Sequence, residues 1–159
     1  MASRFAIFFV LTIATLLLCG CSSFNRAWKQ AGRQTPALDS IEGRWEGHWL
    51  SAKNGHNGNL RCLVTKSAEG HCSARFRATY MKILRFGYTI PLEVTRSNDV
   101  WYFRSEADLG KMAGGIYQYE GSSTTTRFHS TYSSPYDHGD FEMTRPAHDV
   151  PQSTSTPAN

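Results

Sequence analysis

From Gly43 to Arg145 the chain alternates apolar and polar residues with a period of two, is rich in aromatic residues, Thr and Gly, and carries no apolar stripe at helical spacing. The alternation predicts a first strand over Gly43–Ser51, with Trp45, Gly47 and Trp49 on one face and Arg44, Glu46 and His48 on the other. Asn54-Gly55 and Asn57-Gly58 mark the turn that follows, where the backbone has to tolerate positive φ. Further strands are predicted over 59–67 (Leu60, Cys62 and Val64 facing alike), 71–80 (Cys72, Ala74, Phe76, Ala78 and Tyr80 inward), 86–96 (Phe86, Tyr88, Ile90, Leu92 and Val94 in one register) and 100–105. After a Gly-containing loop over 106–115, three more follow at 116–120, 124–133 and 140–145, with Phe128, Ser130 and Tyr132 alternating against Arg127 and His129, and Phe141 and Met143 inward. Pro91 falls on the outer face of the fourth strand and predicts an edge or a bulge there. About eight short strands, nearly all joinable as hairpins and without a crossover helix, predict an all-β antiparallel fold. Closing the sheet removes its edges, so an up-and-down barrel or a strongly curved sheet is expected, with a two-sheet sandwich as the alternative.

The flanks differ in kind. Met1 to Arg4 is short and basic, and 5–18 is an almost uninterrupted apolar run, shorter than the roughly 20 residues that span a bilayer. That combination predicts an export signal. The run ends in Leu18-Cys19-Gly20-Cys21, which resembles the lipobox of bacterial lipoproteins: Leu18 stands three residues before Cys21 and the small Gly20 immediately before it, while Cys19 occupies a place where Ala or Ser is usual. The resemblance implies cleavage after Gly20, acylation of Cys21 and attachment to the lipid bilayer of the cell envelope. Ser22, in place of an acidic residue, implies the outer membrane, facing the periplasm. Several acyl chains on one residue hold a protein stably without a spanning helix.

Residues 22–40 are polar, with Arg26, Lys29 and Arg33, and predict a tether, although Phe24, Ala27, Trp28 and Ala31 recur at helical spacing and would make a short helix lying on the membrane or on the domain. The last residues hold prolines with Ser, Thr and Gln and almost nothing to bury, which predicts disorder. The chain therefore divides into a signal peptide (1–20), a lipid-anchored tether (21–41), one β domain (42–146) and a disordered tail (147–159).

Composition narrows the partners. The formal net charge of +4 falls to +3 once Arg4 leaves with the signal, and the remaining 139 residues suffice for one domain with a core. Both signs of charge are plentiful, so no nucleic acid is implied. Of four cysteines, Cys19 leaves with the signal and Cys21 takes the lipid, which leaves Cys62 and Cys72. A hairpin centred near Ser67 would set Cys62 opposite Cys72 and Leu60 opposite Ala74, close enough for a disulfide in an oxidising envelope. Two unpaired thiols acting as small hydrophobes are the alternative.

Candidate chemistry is sparse. Trp45, Trp49, Phe76, Tyr88, Phe128 and Tyr132, with Tyr80, Phe86 and Phe103, would line an apolar ligand pocket or fill a closed core. His56, His129, Asp137, His138 and Asp140 lack zinc or EF-hand spacing, so neither a metal nor another cofactor is expected. No Gly-X-Ser-X-Gly elbow is present, Gly114-Gly115 lacks the ending of a phosphate loop, and Glu106 with Asp108 reads as loop scaffolding rather than a carboxylate pair. Arg75, Arg77, Lys82 and Arg85 form a basic outward face interleaved with aromatics. The opening Gly43-X-Trp45 is similar to the first strand of lipocalin-like proteins, which implies a lipocalin-like barrel with Trp45 closing one end. The expected function is a non-catalytic structural or interaction module of the envelope. A carrier or sensor of a small apolar ligand is the first alternative and an uncharacterised hydrolase the second.

Overall fold

The computed structural model describes residues 23–149 except 35, 37, 38, 68, 82, 112 and 113. The predicted signal peptide and lipidation site, with Leu18, Gly20 and Cys21, lie outside the described residues, as do Lys82 and 150–159.

Strands β1 (Gly43–Ser51), β2 (Asn57–Lys66), β3 (Cys72–Tyr80), β4 (Leu84–Ser97), β5 (Val100–Asp108), β6 (Ile116–Ser123), β7 (Arg127–Ser133) and β8 (His138–Thr144) run in sequence order around a closed barrel. Each is antiparallel to the next, and β8 returns to β1, pairing Phe141 with Trp49 and Met143 with Gly47. The fold is thus the up-and-down barrel and not the sandwich. Its inward faces are those that the alternation marks: Trp45, Leu60, Cys62, Val64, Phe76, Ile90, Phe128 and Phe141 are all buried. The strands differ from the pattern mainly at their ends. β5 extends to Asp108 and β6 to Ser123 because the two pair along their whole length, Trp101 with Ser123 and Asp108 with Ile116.

One end of the barrel is packed shut. Trp45 is fully buried, donates its Nε1–H to the Ile41 carbonyl at 2.9 Å and lies 5.6 Å from the ring of Phe128, which stacks on Phe103 at 4.7 Å. The guanidinium of Arg145 sits 4.1 Å over the Trp45 ring and donates to the carbonyls of Ser40, Glu42 and Thr125. Burial pulls the Arg145 pKa down to about 10, which still leaves the group charged at neutral pH.

The β2–β3 register corrects the predicted disulfide. Cys62 stands opposite Phe76, and Cys72 stands opposite Lys66, so the hairpin is centred at Glu69 and not at Ser67. Its tight turn sets this register: Ser67 N–H donates to His71 O, Gly70 N–H to Ser67 O, and Gly70 takes φ 87°. Cys62 and Cys72 share the inner face but are separated by about 13 Å along the sheet, at roughly 3.3 Å per residue, and both are free thiols.

The predicted tether is also revised. Residues 23–31 form a helix, α1, laid on the outside of β2 and β3. Phe24 and Trp28 are buried there, stacked at 5.7 Å, against the outward-facing Leu63. Arg75 and Arg77 lie 5.5 and 5.7 Å over Phe24, and Arg44 and Arg61 lie 5.3 and 5.2 Å over Trp28. Of the predicted disordered tail, Ala147–Asp149 instead forms a 3-10 helix whose buried Asp149 accepts two hydrogen bonds from Arg44 at 2.5 and 2.7 Å.

One ladder is incomplete. β4 pairs with β5 only from Glu93–Arg104 to Ser97–Val100, although both strands continue well past that point toward the other end of the barrel. Pro91 stands where the pairing stops. A proline inside an intact β3–β4 ladder, here opposite Ser73, occupies a position whose N–H would point away from the paired strand, so its missing donor falls on the β5 side. The wall is therefore open between 84–92 of β4 and 105–108 of β5.

Candidate functional site

The end of the barrel opposite Trp45 is hollow. A cavity of about 520 Å³ opens there, within the range of about 300–1,000 Å³ typical of small-molecule sites. Its floor is Leu60, Ala78, Tyr119 and Phe141, its walls are Trp49, Phe86, Tyr88, Tyr117 and Tyr132, and its rim includes Thr89, Asp108, Leu109 and Asp137. Gly87 and Thr89 face outward from β4 yet touch the cavity, so it reaches the surface through the unpaired β4–β5 wall as well as through the mouth.

The aromatic wall is continuous. Tyr119 lies 6.4 Å from Tyr88 and 6.2 Å from Tyr117 and from Phe141, while Tyr132 lies 5.1 Å from Phe141 and 6.1 Å from Tyr117. These spacings fall within the range for offset and tilted ring contacts. Trp49 is held from behind: its Nε1–H donates to Thr79 O at 3.2 Å, and its ring meets Tyr80 at 6.1 Å. Gly58 permits this arrangement, because a Cβ there would collide with the Thr79 carbonyl and come within 2.9 Å of the Trp49 Nε1.

Three phenols of the wall are kept neutral well above the usual tyrosine range. Burial raises the pKa values of Tyr88, Tyr119 and Tyr132, and the Asp137 charge adds to the effect at Tyr132. Tyr88 and Tyr119 also hydrogen-bond to each other. Asp137 is the fixed acid of the rim. It closes the β7–β8 turn, in which Ser134 Oγ accepts the amides of Tyr136 and Asp137. Its Oδ1 accepts the Ser51 hydroxyl at 2.6 Å and the His138 amide at 2.9 Å, and its Oδ2 accepts the Tyr132 hydroxyl at 3.1 Å.

The residues expected to line a pocket separate into two groups. Trp49, Tyr88 and Tyr132, with Phe86, line the cavity, whereas Trp45, Phe76, Phe103 and Phe128 belong to the packed half of the barrel. Tyr117, Tyr119 and Asp137 are additions. The first two share one face of a strand whose alternation is plain in sequence, but Asp137 reads as an ordinary turn residue until Ser51 is placed beside it.

The remaining candidates disperse. His129 pairs with Glu142 at 3.6 Å on the outer surface, Asp140 stands opposite Thr131 and His138 opposite Ser133, and His56 lies against Tyr80. Among the described residues no three His, Cys, Asp or Glu side chains come close enough to share a metal ion. Asp108 accepts the Gly110 amide at 2.8 Å and shapes the β5–β6 loop, while Glu106 points to solvent, opposite Gln118. Arg75 and Arg77 are engaged with α1, also through Ser23 and Asn25, and Arg85 is exposed. No protein-family model matches the chain, and comparison with curated proteins and with solved structures found no match.

Proposed function

We propose that the chain is an envelope lipoprotein, anchored to the bilayer through acylated Cys21, whose barrel binds and carries a small, largely apolar ligand at its open end. The observation that carries the binding half is the cavity of about 520 Å³, walled by Trp49 and four tyrosines in a barrel whose other half is filled. An eight-stranded barrel is just wide enough either to pack completely or to hold one small molecule, and this one is divided between the two. A purely structural module has no use for a hollow beside which Trp49, Phe86 and Tyr117 remain partly exposed.

The anchoring half rests on Leu18, Gly20 and Cys21 behind an apolar run, and the absence of an acid at Ser22 favours the outer membrane, facing the periplasm. Replacing Cys21 by Ser should abolish acyl labelling in cells; continued labelling would refute the anchor. Binding is tested separately, by titrating the polypeptide from residue 21 onward, carrying Cys21→Ser, with the neutral fluorophore 1-aminoanthracene. Saturable one-to-one binding with energy transfer from tryptophan is expected, and it should be lost in Ala78→Phe, which fills the floor. Folded protein that binds no probe would leave the barrel as a structural module.

A further inference from the structure

We infer that the ligand is a cation, an alkyl- or arylammonium compound with an apolar body, recognised by the aromatic wall together with Asp137. The inference rests on the binding reading above and adds the ligand's charge to it. The protein as a whole is basic, with 17 Lys and Arg against 13 Asp and Glu. The cavity reverses that balance: among the described residues that line it, Asp108 and Asp137 are acidic, and none is Lys, Arg or His. Basic side chains on neighbouring segments stay outside the lining, the exposed Arg85 and Lys111 among them, and three of them are engaged elsewhere. Lys53 donates to the Tyr136 carbonyl at 2.6 Å, His56 lies against Tyr80, and the outward Arg77 lies over Phe24 of α1.

The walls agree with the charges. Faces of Trp and Tyr rings attract a cation through their quadrupoles, most strongly where water is excluded, and clusters of such rings are the usual way that ammonium ligands are held. Tyr88, Tyr117, Tyr119 and Tyr132 with Trp49 supply five such rings around one hollow. Asp137 supplies the counter-charge at the rim, and its position is fixed by the hydroxyls of Ser51 and Tyr132 and the amide of His138. These donors orient the carboxylate without neutralising it. A fatty acid would meet the opposite arrangement, with its carboxylate facing Asp108 and Asp137 and no basic side chain among the described lining residues to receive it.

The test uses three probes with one chain length, decyltrimethylammonium, 1-decanol and decanoate, each below its micelle concentration, titrated calorimetrically into the polypeptide from residue 21 carrying Cys21→Ser. The expected order is cation, alcohol, anion, with the cation favoured over the alcohol on the order of ten-fold. Asp137→Asn should bring the cation close to the alcohol and leave the alcohol unchanged. Asp108→Asn, at a more exposed position, should give a smaller loss of the same sign, and it keeps the comparison available should the Asp137 variant fold poorly. If the alcohol or the anion binds as tightly as the cation, or if both variants keep the cation's advantage, the charge assignment is wrong while binding itself stands. If none of the three probes binds folded protein, the binding reading fails and this inference falls with it.

Discussion

Arg145 illustrates how much one side chain closes. It caps the Trp45 ring and satisfies three carbonyls from two separate stretches of chain, Ser40 and Glu42 just before β1 and Thr125 between β6 and β7. Replacement by Met should lower unfolding stability by about 3 kcal/mol in a denaturant titration, since hydrogen bonds from a charged donor are worth about 1.5–3 kcal/mol each and the carbonyls regain only part of that from water. Lys should rescue little of the loss, because an ammonium cannot stack on the ring and reach three acceptors together. The buried phenols give a second residue-scale expectation. Tyr88, Tyr119 and Tyr132 hold their protons in the folded barrel at a pH where the unfolded chain releases them, near the ordinary value of 10. Below that pH they are neutral in both states and add no pH dependence. Above it the unfolded state binds fewer protons, so stability falls as pH rises. In a tyrosinate absorbance titration, three of the seven tyrosines should ionise only together with the loss of near-ultraviolet circular dichroism.

At the scale of elements, α1 and the β2–β3 hairpin show what sequence pattern can and cannot carry. Phe24 and Trp28 have helical spacing, yet nine residues of isolated helix are marginal, and what stabilises them lies far along the chain: Leu63 and the arginines of β1, β2 and β3. Burial of Trp28 is worth about 1.5–3 kcal/mol, with about 0.5–1 kcal/mol more for each stacked guanidinium. Trp28→Ala should therefore release the helix, seen as protease cleavage between Asn25 and Arg33 at concentrations that leave the wild-type chain intact, while the barrel still melts cooperatively. The strand faces were legible because period two survives any register. The register was not, since a shift of the hairpin centre by two residues keeps every face and moves only the partners. That is why Cys62 and Cys72 could be placed on the right face and still be mispaired.

For the whole molecule, closure was legible from a row of hairpins with no helix between them, because a sheet of eight strands has few other ways to hide its two outer strands. The division into a filled half and a hollow half was not, as it depends on how rings at equal spacing meet in three dimensions: Trp45 and Trp49 lie four residues apart on one face and belong to different halves. The incomplete β4–β5 ladder has a consequence of another kind. It exposes two short lengths of backbone able to recruit a strand from a neighbouring copy, in a barrel whose other ladders are closed among the described residues. Pro91 withholds a donor along one of those lengths, and Glu93 and Arg104, bridged at 2.6 Å, close the ladder just above it. Proline at this position is thus a guard against self-association. Pro91→Val, which restores the donor with a good strand former, should leave the monomer folded and yet shift concentrated protein toward dimers and larger species in sedimentation velocity, with the wild-type chain remaining monomeric under the same conditions.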